Sequence, residues 1–242
     1  MDDAGVTRVR LLDGFTLQLP GTGPGSAPDF PRVVQRLIAH LSLAGRPART
    51  AIAGRLWPDV TEEHAHGSLR SALWRVQKVA PGLITASGGT LSLAHEVRVD
   101  VQELKEWARR AMDPCSALDD IAAGDLELGG ELLPGWYEDW VLLERERLRQ
   151  LRMHGLEALA DKLAAAARYG EAVHAAYAAV RAEPLRESAH RTVVRVHIAE
   201  GNVTEAVRAY ETFRIMLADE VGVPPTPRMV ALIRSIRSDG PD

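Results

Sequence analysis

The three residues Glu-Ala-Val occur twice in the C-terminal part of the chain, at Glu171–Val173 and at Glu205–Val207, a spacing of 34 residues. Repeats with a period of about this length are typical of stacked helix–turn–helix units, in which each unit buries its hydrophobic face only against its neighbours. The spacing therefore predicts an array of paired helices in this part of the chain.

Small and apolar residues lie where a tetratricopeptide repeat places its packing residues. Small side chains let paired helices approach closely, and large ones fill the remaining gaps. Just before the repeats, Trp136 and Trp140 lie one turn apart ahead of a long amphipathic helix, and they are predicted to pack the start of the array. The predicted core positions are Leu156, Leu159, Ala160, Leu163, Tyr169, Ala172, Ala179 and Pro184 in the first copy, and Val193, Val194, Val203, Ala206 and Tyr210 in the second.

The N-terminal part of the chain begins with a strand-like pattern. Apolar and polar residues alternate over residues 6–19 on either side of the turn signal Asp13-Gly14, which predicts a β-hairpin. A second pair of strand-like segments, LITAS and TLSLA, is joined by Gly88-Gly89 and predicts another hairpin.

Three helices are predicted between these hairpins. Apolar spacing places the first over residues 32–43, the second over 51–57 with Thr50 as its N-cap, and the third after its N-cap Thr61. This order of elements predicts a winged helix-turn-helix. The expected fold is mainly α with a small β component: a winged helix-turn-helix domain over residues 1–100, followed by an all-α tetratricopeptide-like helical repeat domain over residues 101–242.

The third predicted helix has an apolar and a polar side. On a helical wheel, Ala65, Leu73, Val76 and Ala80 fall within about 40° of Leu69 and form the predicted buried stripe. The opposite side carries side chains that reach base edges and phosphates. This side comprises His64, Gly67, Ser71, Trp74, Arg75 and Lys78, with Ser68 and Arg70 on its flanks.

Two residues of this polar side are unusual for a helix that only faces water. An exposed glycine inside a helix costs about 1 kcal/mol relative to alanine, so Gly67 suits a helix that lies against another backbone. An exposed indole at Trp74 can pack on sugars or on a thymine methyl group. The alternative from the residues alone is that Trp74 packs against a neighbouring domain.

The charge of the chain is unevenly distributed. The net charge is −4, but the segment from Arg32 to Lys78 contains eight basic residues against three acidic ones. A local positive field can neutralise phosphates whatever the rest of the protein carries. Charge alone favours the alternative that this is only a solvated helical surface.

Short motifs in the N-terminal part match a known family. On these motifs the segment resembles the DNA-binding domain of the Streptomyces antibiotic regulatory protein family, whose winged helix is of the response-regulator type. The matching residues are Leu56-Trp57-Pro58-Asp59, Ser68-Leu69-Arg70, Leu73 and Val99-Asp100.

A longer ordered set of motifs runs from Leu132 to Ile236, from LLPGWYEDW at its start to DEVGVPP near its end. This succession resembles the bacterial transcriptional activation domain of the same regulator family. Together the two resemblances cover most of the chain.

The resemblance implies a transcriptional regulator, an activator of genes of secondary metabolism and antibiotic biosynthesis in actinomycetes. It implies that helix three enters the major groove of double-stranded DNA, at direct repeats near promoters, with a homodimer on DNA and contact with RNA polymerase as further expectations. Phosphate and backbone contacts are expected from the start of helix two and from the wing, through Arg46, Arg49, Thr50, Ser87 and Thr90.

Catalytic and nucleotide-binding motifs are absent from the sequence. There is no Gly-x-x-x-x-Gly-Lys-Ser/Thr loop, no Gly-x-Ser-x-Gly elbow and no His-Glu-x-x-His pair. His64 and His66 would lie about 200° apart on a helix, which does not suit one metal ion. We therefore expect no enzyme activity, no cofactor and no metal site, and we expect the single cysteine, Cys115, to be a buried and inert thiol.

The chain has no run of about 18 apolar residues and no signal-peptide pattern at its N-terminus. The expected location is therefore the cytoplasm, in association with the nucleoid and without a membrane partner.

A rival function comes from a different class of protein. The helical repeats would then be the active part, as a protein-interaction or ligand-sensing scaffold, and the winged helix would be a dimerisation module. Two departures from the family pattern, Gln77 near the end of helix three and Thr90 at the wing, would weaken DNA binding in this case. Salt dependence of DNA binding separates the two hypotheses, because only phosphate contacts produce it.

Overall fold

The computed structural model describes residues 5–21, 29–121 and 129–238. The chain divides into two compact units. The N-terminal unit is the described part of Met1–Leu104 and Leu128–Glu146, and the C-terminal unit is the described part of Lys105–Glu127 and Arg147–Asp242. The predicted fold class, mainly α with a small β component, is confirmed. The domain boundary at residue 100 stays a prediction.

Among its described residues, the N-terminal unit contains two strands, three helices, a separate hairpin and a short last strand, followed by residues 100–104 and by residues 129–146. Its elements in chain order are β1 (Arg8–Arg10), β2 (Thr16–Gln18), α1 (Arg32–Ala44), α2 (Arg49–Leu56), α3 (Glu62–Val79), β3 (Ile84–Ser87), β4 (Thr90–Leu93) and β5 (Arg98–Val99). The remaining elements are α4 (Asp100–Met112), a short 3-10 helix (Leu118–Asp120), α5 (Asp139–Ala165), α6 (Tyr169–Ala182), α7 (Glu187–Glu200), α8 (Val203–Val221) and α9 (Pro227–Ser238). None of these described helices is both long and apolar enough to span a bilayer.

The first hairpin forms as predicted. Strands β1 and β2 pair antiparallel with Val9 opposite Leu17, and β5 adds to β1 in parallel, so the sheet order is β2-β1-β5. The turn has a positive φ at both Asp13 (60°) and Gly14 (131°), a conformation that aspartate tolerates and glycine adopts freely. Val9 and Leu17 are both buried and anchor the sheet to the core.

Helix α3 packs on both α1 and α2. Its buried residues are Ala65, Leu69, Ala72 and Val76. The predicted stripe is therefore correct except at Leu73, which is half-buried, while the neighbouring Ala72 is buried in its place. Small residues on the inner side let α3 approach its partners closely, which leaves its opposite side free.

Of the two predicted N-cap residues, Thr50 is wrong, whereas Thr61 is correct in position. Helix α2 begins at Arg49 with Ala48 as its N-cap residue, so Thr50 lies inside the first turn. Thr61 does occupy the N-cap position of α3, but its hydroxyl makes no capping bond to the backbone. Its Oγ1 lies 2.6 Å from Nδ1 of His64 instead.

The second hairpin is the predicted wing, with Ser87 opposite Thr90 across the Gly88-Gly89 turn. It is tied to the start of α2 by backbone hydrogen bonds. The Arg49 N–H donates to the Gly89 carbonyl at 3.0 Å, and the Leu91 N–H donates to the Pro47 carbonyl at 3.1 Å. The wing and the first turn of α2 therefore form one connected surface.

A buried carboxylate joins the end of β1 to the start of α4. Asp100 accepts backbone hydrogen bonds from Leu11 (2.8 Å), Leu12 (2.9 Å) and Val101 (2.7 Å). Burial raises the pKa of the Asp100 carboxyl above its ordinary value, and the three backbone donors act in the opposite direction. The Val99-Asp100 motif thus has a structural role.

The predicted packing of Trp136 and Trp140 at the start of the helical array is wrong. Both are buried in the N-terminal unit. Trp136 stacks on Phe15 with ring centroids 6.4 Å apart, and Trp140 meets the His40 ring edge-on at 5.3 Å. Arg145 fixes this segment by donating hydrogen bonds to the carbonyl groups of residues 132, 133 and 136.

The C-terminal unit is built from helix pairs. Helix α7 packs on both α6 and α8, and α9 packs on α7 and α8. Both Glu-Ala-Val copies begin at the third residue of a helix, α6 in one case and α8 in the other. The core around Phe213 contains Val194, Ala206, Leu217, Met229 and Ile233.

Three predictions of burial in the C-terminal unit are wrong. Pro184 is exposed in the turn between α6 and α7, and Val203 is 46% exposed at the first position of α8. Cys115 is exposed rather than buried, because it follows α4 in a turn where its N–H donates to the Asp113 carboxylate. Turn and helix-end positions of this kind do not face the core.

A glycine on α5 lies in close contact with α4. A Cβ built on Gly155 would lie 2.7 Å from a ring atom of the buried Trp107 and 3.3 Å from the Cα of Ala108. The absence of a side chain at Gly155 therefore allows α4 and α5 to touch.

We expect Gly155→Ala to destabilise the protein, because overpacking against a buried ring costs about 1–3 kcal/mol and outweighs a gain in helix propensity of about 1 kcal/mol. Gly170→Ala is the matched control, since nothing lies within 4 Å of the added Cβ. It should raise the free energy of unfolding. Urea denaturation measures both, and equal stabilisation by the two alanines would contradict the proposed contact.

His40 makes the stability of the N-terminal unit dependent on pH. The side chain is 5% exposed. Burial, and secondarily the charge of Arg55, lowers the pKa of His40 from 6.5 to about 4. As the pH falls from 6.5 towards 4, the unfolded chain binds a proton that the folded chain does not, so folding loses up to about 3 kcal/mol.

His40→Phe keeps a ring against Trp140 and removes this titration. We therefore expect its urea midpoint to fall less steeply between pH 6.5 and pH 4 than that of the wild type. Parallel slopes for the two proteins would show that His40 does not carry the effect.

Candidate nucleic-acid interface

The outer side of α3 is its polar side, as predicted. We call these eight residues the α3 face: His64, Gly67, Ser68, Arg70, Ser71, Trp74, Arg75 and Lys78. Six of them are exposed, whereas Gly67 and Ser68 are half-buried. Trp74 is 64% exposed. The structure therefore presents a cationic helix surface with an indole among the charges.

A shallow groove runs along part of this face. It has a volume of about 560 Å³. Val33 of α1 and Trp57 at the end of α2 line its other side, and Glu63 of α3 also contributes to the lining. The members of the α3 face that line it are His64, Gly67, Ser68, Arg70, Ser71 and Arg75.

Local contacts inside the α3 face hold some of its side chains. The Ser71 hydroxyl donates to the Gly67 carbonyl at 3.1 Å, one turn earlier. The Lys78 ammonium lies 5.4 Å from the centroid of the Trp74 ring, within the range of a cation–π contact. These contacts order the polar side chains without neutralising them.

The other predicted DNA contacts lie at the wing and at the start of α2. Arg46, Arg49, Thr50 and Ser87 are exposed, and Thr90 is half-buried. The Thr90 hydroxyl donates to the Ser87 carbonyl at 2.6 Å and is thus engaged within the wing. Because the wing is bonded to the first turn of α2, Arg49 and the wing turn lie side by side.

Two of the eight basic residues between Arg32 and Lys78 are engaged by a carboxylate and do not add to the cationic surface. Arg36 forms an ion pair with Glu138 at 3.1 Å, and Arg32 lies 3.9 Å from the same carboxylate. The Arg32 guanidinium also covers the Trp136 ring at 3.5 Å. Glu138 is about a hundred residues away in sequence, so no local pattern indicated this pairing.

The remaining six basic residues keep their charge available. None has an ion pair with a carboxylate among the residues that the structure describes, and all six are exposed. An exposed cation without a carboxylate partner is available to neutralise a phosphate. They are Arg46, Arg49, Arg55, Arg70, Arg75 and Lys78.

The sequence did not indicate that Trp57 lines the groove, nor that a second surface with exposed apolar side chains lies nearby. Trp57 belongs to the Leu-Trp-Pro-Asp motif, which was the only signal for it. The second surface is a depression of about 660 Å³ beside the turn from α2 to α3. Around it Tyr137 is 77% exposed, Leu143 75% and Val60 47%.

The described residues contain no cluster of three His, Cys, Asp or Glu side chains that could hold a metal ion. His64 pairs with Thr61, whereas His66 lies 3.6 Å from the Glu62 carboxylate. The two histidines thus have different partners.

Comparison with known proteins gives the same two-part organisation. The family model of the bacterial transcriptional activator domain matches residues 97–237. The regulatory protein AfsR of Streptomyces coelicolor is 33% identical over 221 residues, which are 85% of this chain and 22% of AfsR. AfsR of Streptomyces griseus is 30% identical over 214 residues, 80% of this chain and 21% of the relative. The chain therefore spans about a fifth of the length of these curated relatives.

A solved structure has the same fold. EmbR of Mycobacterium tuberculosis, in complex with a low affinity phosphopeptide, matches with a TM-score of 0.66 at 18% sequence identity. The match covers 98% of this chain and 66% of EmbR. It confirms the winged helix followed by a helical domain.

No close contact among the described residues requires a glycine at position 67. Of the described atoms, only the Arg70 guanidinium comes within 4 Å of an added Cβ, at 3.8 Å. We expect Gly67→Ala to raise the free energy of unfolding by about 0.5–1 kcal/mol through helix propensity. Gly54→Ala in α2, which also has free space, is the control. A loss of stability confined to Gly67→Ala in urea denaturation would contradict this.

Proposed function

The chain belongs to the family of regulators that place a bacterial transcriptional activator domain after a winged helix, the Streptomyces antibiotic regulatory protein family, and we propose that it binds double-stranded DNA sequence-specifically through α3. The observation that carries the proposal is the exposed α3 face, on which Arg70, Arg75 and Lys78 have no carboxylate partner among the described residues. A surface of this kind neutralises phosphates when it enters a groove.

Helix α3 is the element that enters the major groove in this proposal. The groove is about 12 Å wide, which admits one α-helix. Small residues at Gly67, Ser68 and Ser71 let the first half of α3 approach the bases closely, while the longer side chains reach around it. Arginine can bind a guanine edge with two hydrogen bonds, and serine can bond to several base edges. The α3 face can therefore both attract phosphates and recognise bases.

The start of α2 and the wing supply the second set of contacts. Arg46, Arg49 and Thr50 would hold phosphates on one side, and Ser87 and Thr90 would touch the neighbouring backbone. The hydrogen bonds from Arg49 to Gly89 and from Leu91 to Pro47 support a joint role, because they hold the two parts at a fixed distance. Contacts to phosphates fix the orientation of α3 without reading sequence.

Regulation of transcription follows from the family. We infer that the protein acts as an activator of secondary-metabolite genes, on direct repeats near promoters, with two copies on the DNA and with contact to RNA polymerase. This inference draws on the family model and on relatives that are named regulatory proteins. Its site of action is then the nucleoid in the cytoplasm.

The first experiment identifies the DNA. Genomic fragments are selected by the purified full chain, and the affinity of the best fragment is measured over a salt series. We expect enrichment of spaced repeats and a steep decline of log affinity with log salt, by about 0.9 per phosphate contact. A scaffold with a winged helix used for dimerisation would enrich no fragment and show no slope.

Arg75→Ala tests the α3 face itself. We expect its affinity for DNA to fall about tenfold or more. The slope of log affinity against log salt should become shallower by about 0.9, the contribution of one phosphate contact. Arg228→Ala is the matched control, since Arg228 is also exposed but lies on α9 in the C-terminal unit. Gly67→Ala should also bind more weakly, because its Cβ would occupy space that the DNA backbone or a base needs. If Arg75→Ala and Arg228→Ala bind alike, the α3 face is not the reader.

A further inference from the structure

Trp74 is the one large apolar side chain of the α3 face. The residues around it on the same side of the helix are Arg70, Ser71, Arg75 and Lys78. An isolated indole among charges does not form the broad apolar patch that a protein partner requires. Burying an aromatic ring is nonetheless favourable, so a small apolar target would suit Trp74 well.

The position of Trp74 determines what it can meet. Arg70 and Ser71 lie one turn before it, and Lys78 lies one turn after it, so it is flanked on both sides by polar side chains of the same helix face. When α3 lies in the major groove, a residue in the middle of this face is directed at base edges. Its neighbours at either side reach the phosphates and the remaining edges.

The chemistry of the base edges then selects one target. In the major groove, guanine, adenine and cytosine present hydrogen-bonding groups, and thymine also presents a methyl group. Placing an apolar ring against a polar edge removes water from that edge without replacing its hydrogen bonds, which is unfavourable. Contact between the thymine methyl group and the ring is favourable, because it removes apolar surface of both the methyl group and the indole from water. The Lys78 ammonium, 5.4 Å from the ring centroid, helps to hold the indole in place.

We propose that Trp74 reads the 5-methyl group of a thymine in the bound DNA. The proposal rests on DNA binding by α3 and adds to it a defined sequence feature, an A·T pair opposite Trp74 in each recognised repeat. Trp74 is a specificity determinant in this scheme, and Lys78 is a positioning residue for its ring.

Thymine-to-deoxyuridine substitution tests the proposal, because it removes the methyl group and leaves the pairing edge unchanged. Each thymine of the selected fragment is replaced in turn, and the affinities of the wild type, Trp74→Ala and Trp74→Phe are measured. Loss of one buried methyl group, worth about 0.8 kcal/mol, corresponds to about a fourfold loss of affinity. We expect this loss for the wild type at one thymine of each repeat, no loss there for Trp74→Ala, and an intermediate loss for Trp74→Phe.

The other outcomes are distinguishable. If Trp74→Ala weakens binding while every deoxyuridine substitution affects it as it affects the wild type, Trp74 packs on the sugar–phosphate backbone and the proposal is overturned. If Trp74→Ala binds like the wild type, Trp74 makes no contact with DNA. If the wild type enriches no fragment, DNA binding fails and this inference fails with it. An unchanged melting temperature for both variants confirms that each is folded, as expected for a side chain that is 64% exposed.

Discussion

The N-terminal unit depends on the hydrogen bonds gathered at Leu11–Asp13. The N–H groups of Leu11 and Leu12 donate to the buried Asp100 carboxylate, and the Leu11 carbonyl accepts from the Leu133 N–H at 2.8 Å. Asp13 continues the pattern, since its N–H donates to the Glu131 carbonyl and its carboxylate accepts from the Glu131 N–H. Three distant parts of the sequence meet at one strand end. Because unsatisfied buried polar groups are costly, this junction strongly constrains the unit.

Local sequence patterns predicted the elements of the fold well. The Asp13-Gly14 and Gly88-Gly89 turns and the apolar spacing of α1 and α3 act over a few residues, and a pattern of that range can be read directly. The Thr50 cap failed because α2 already begins at Arg49, and the Thr61 hydroxyl, although at the N-cap position, pairs with the His64 ring rather than with a backbone N–H of α3. Contacts between residues far apart in the sequence could not be predicted from such local patterns. Nothing near Trp136 or Trp140 in sequence indicates Phe15 or His40, and nothing near Arg36 indicates Glu138.

The exposed side of α3 was predictable from the sequence, but the charge available on it was not. A helical wheel separates the two sides of α3, because the period of a helix is fixed. Whether an arginine is available for a ligand depends on which side chains lie near it in the folded protein. Glu138 engages Arg32 and Arg36, whereas Arg70 and Arg75 have no carboxylate partner among the described residues. An acidic protein can in this way keep a local cationic surface. Overall acidity then disfavours nonspecific contact with DNA elsewhere on the molecule.

The packing of Trp136 and Trp140 has a consequence for recombination between members of this family. Their rings belong to the same core as Phe15 and His40, although more than ninety residues separate them in sequence. A chimera joined at residue 100 would combine these rings with the first hundred residues of a different parent. Such an exchange preserves the core only when both parents carry matching aromatic positions. Evolution of new DNA specificity by domain shuffling is therefore restricted to parents with matching aromatic positions or to exchanges that carry residues 129–146 along with the winged helix.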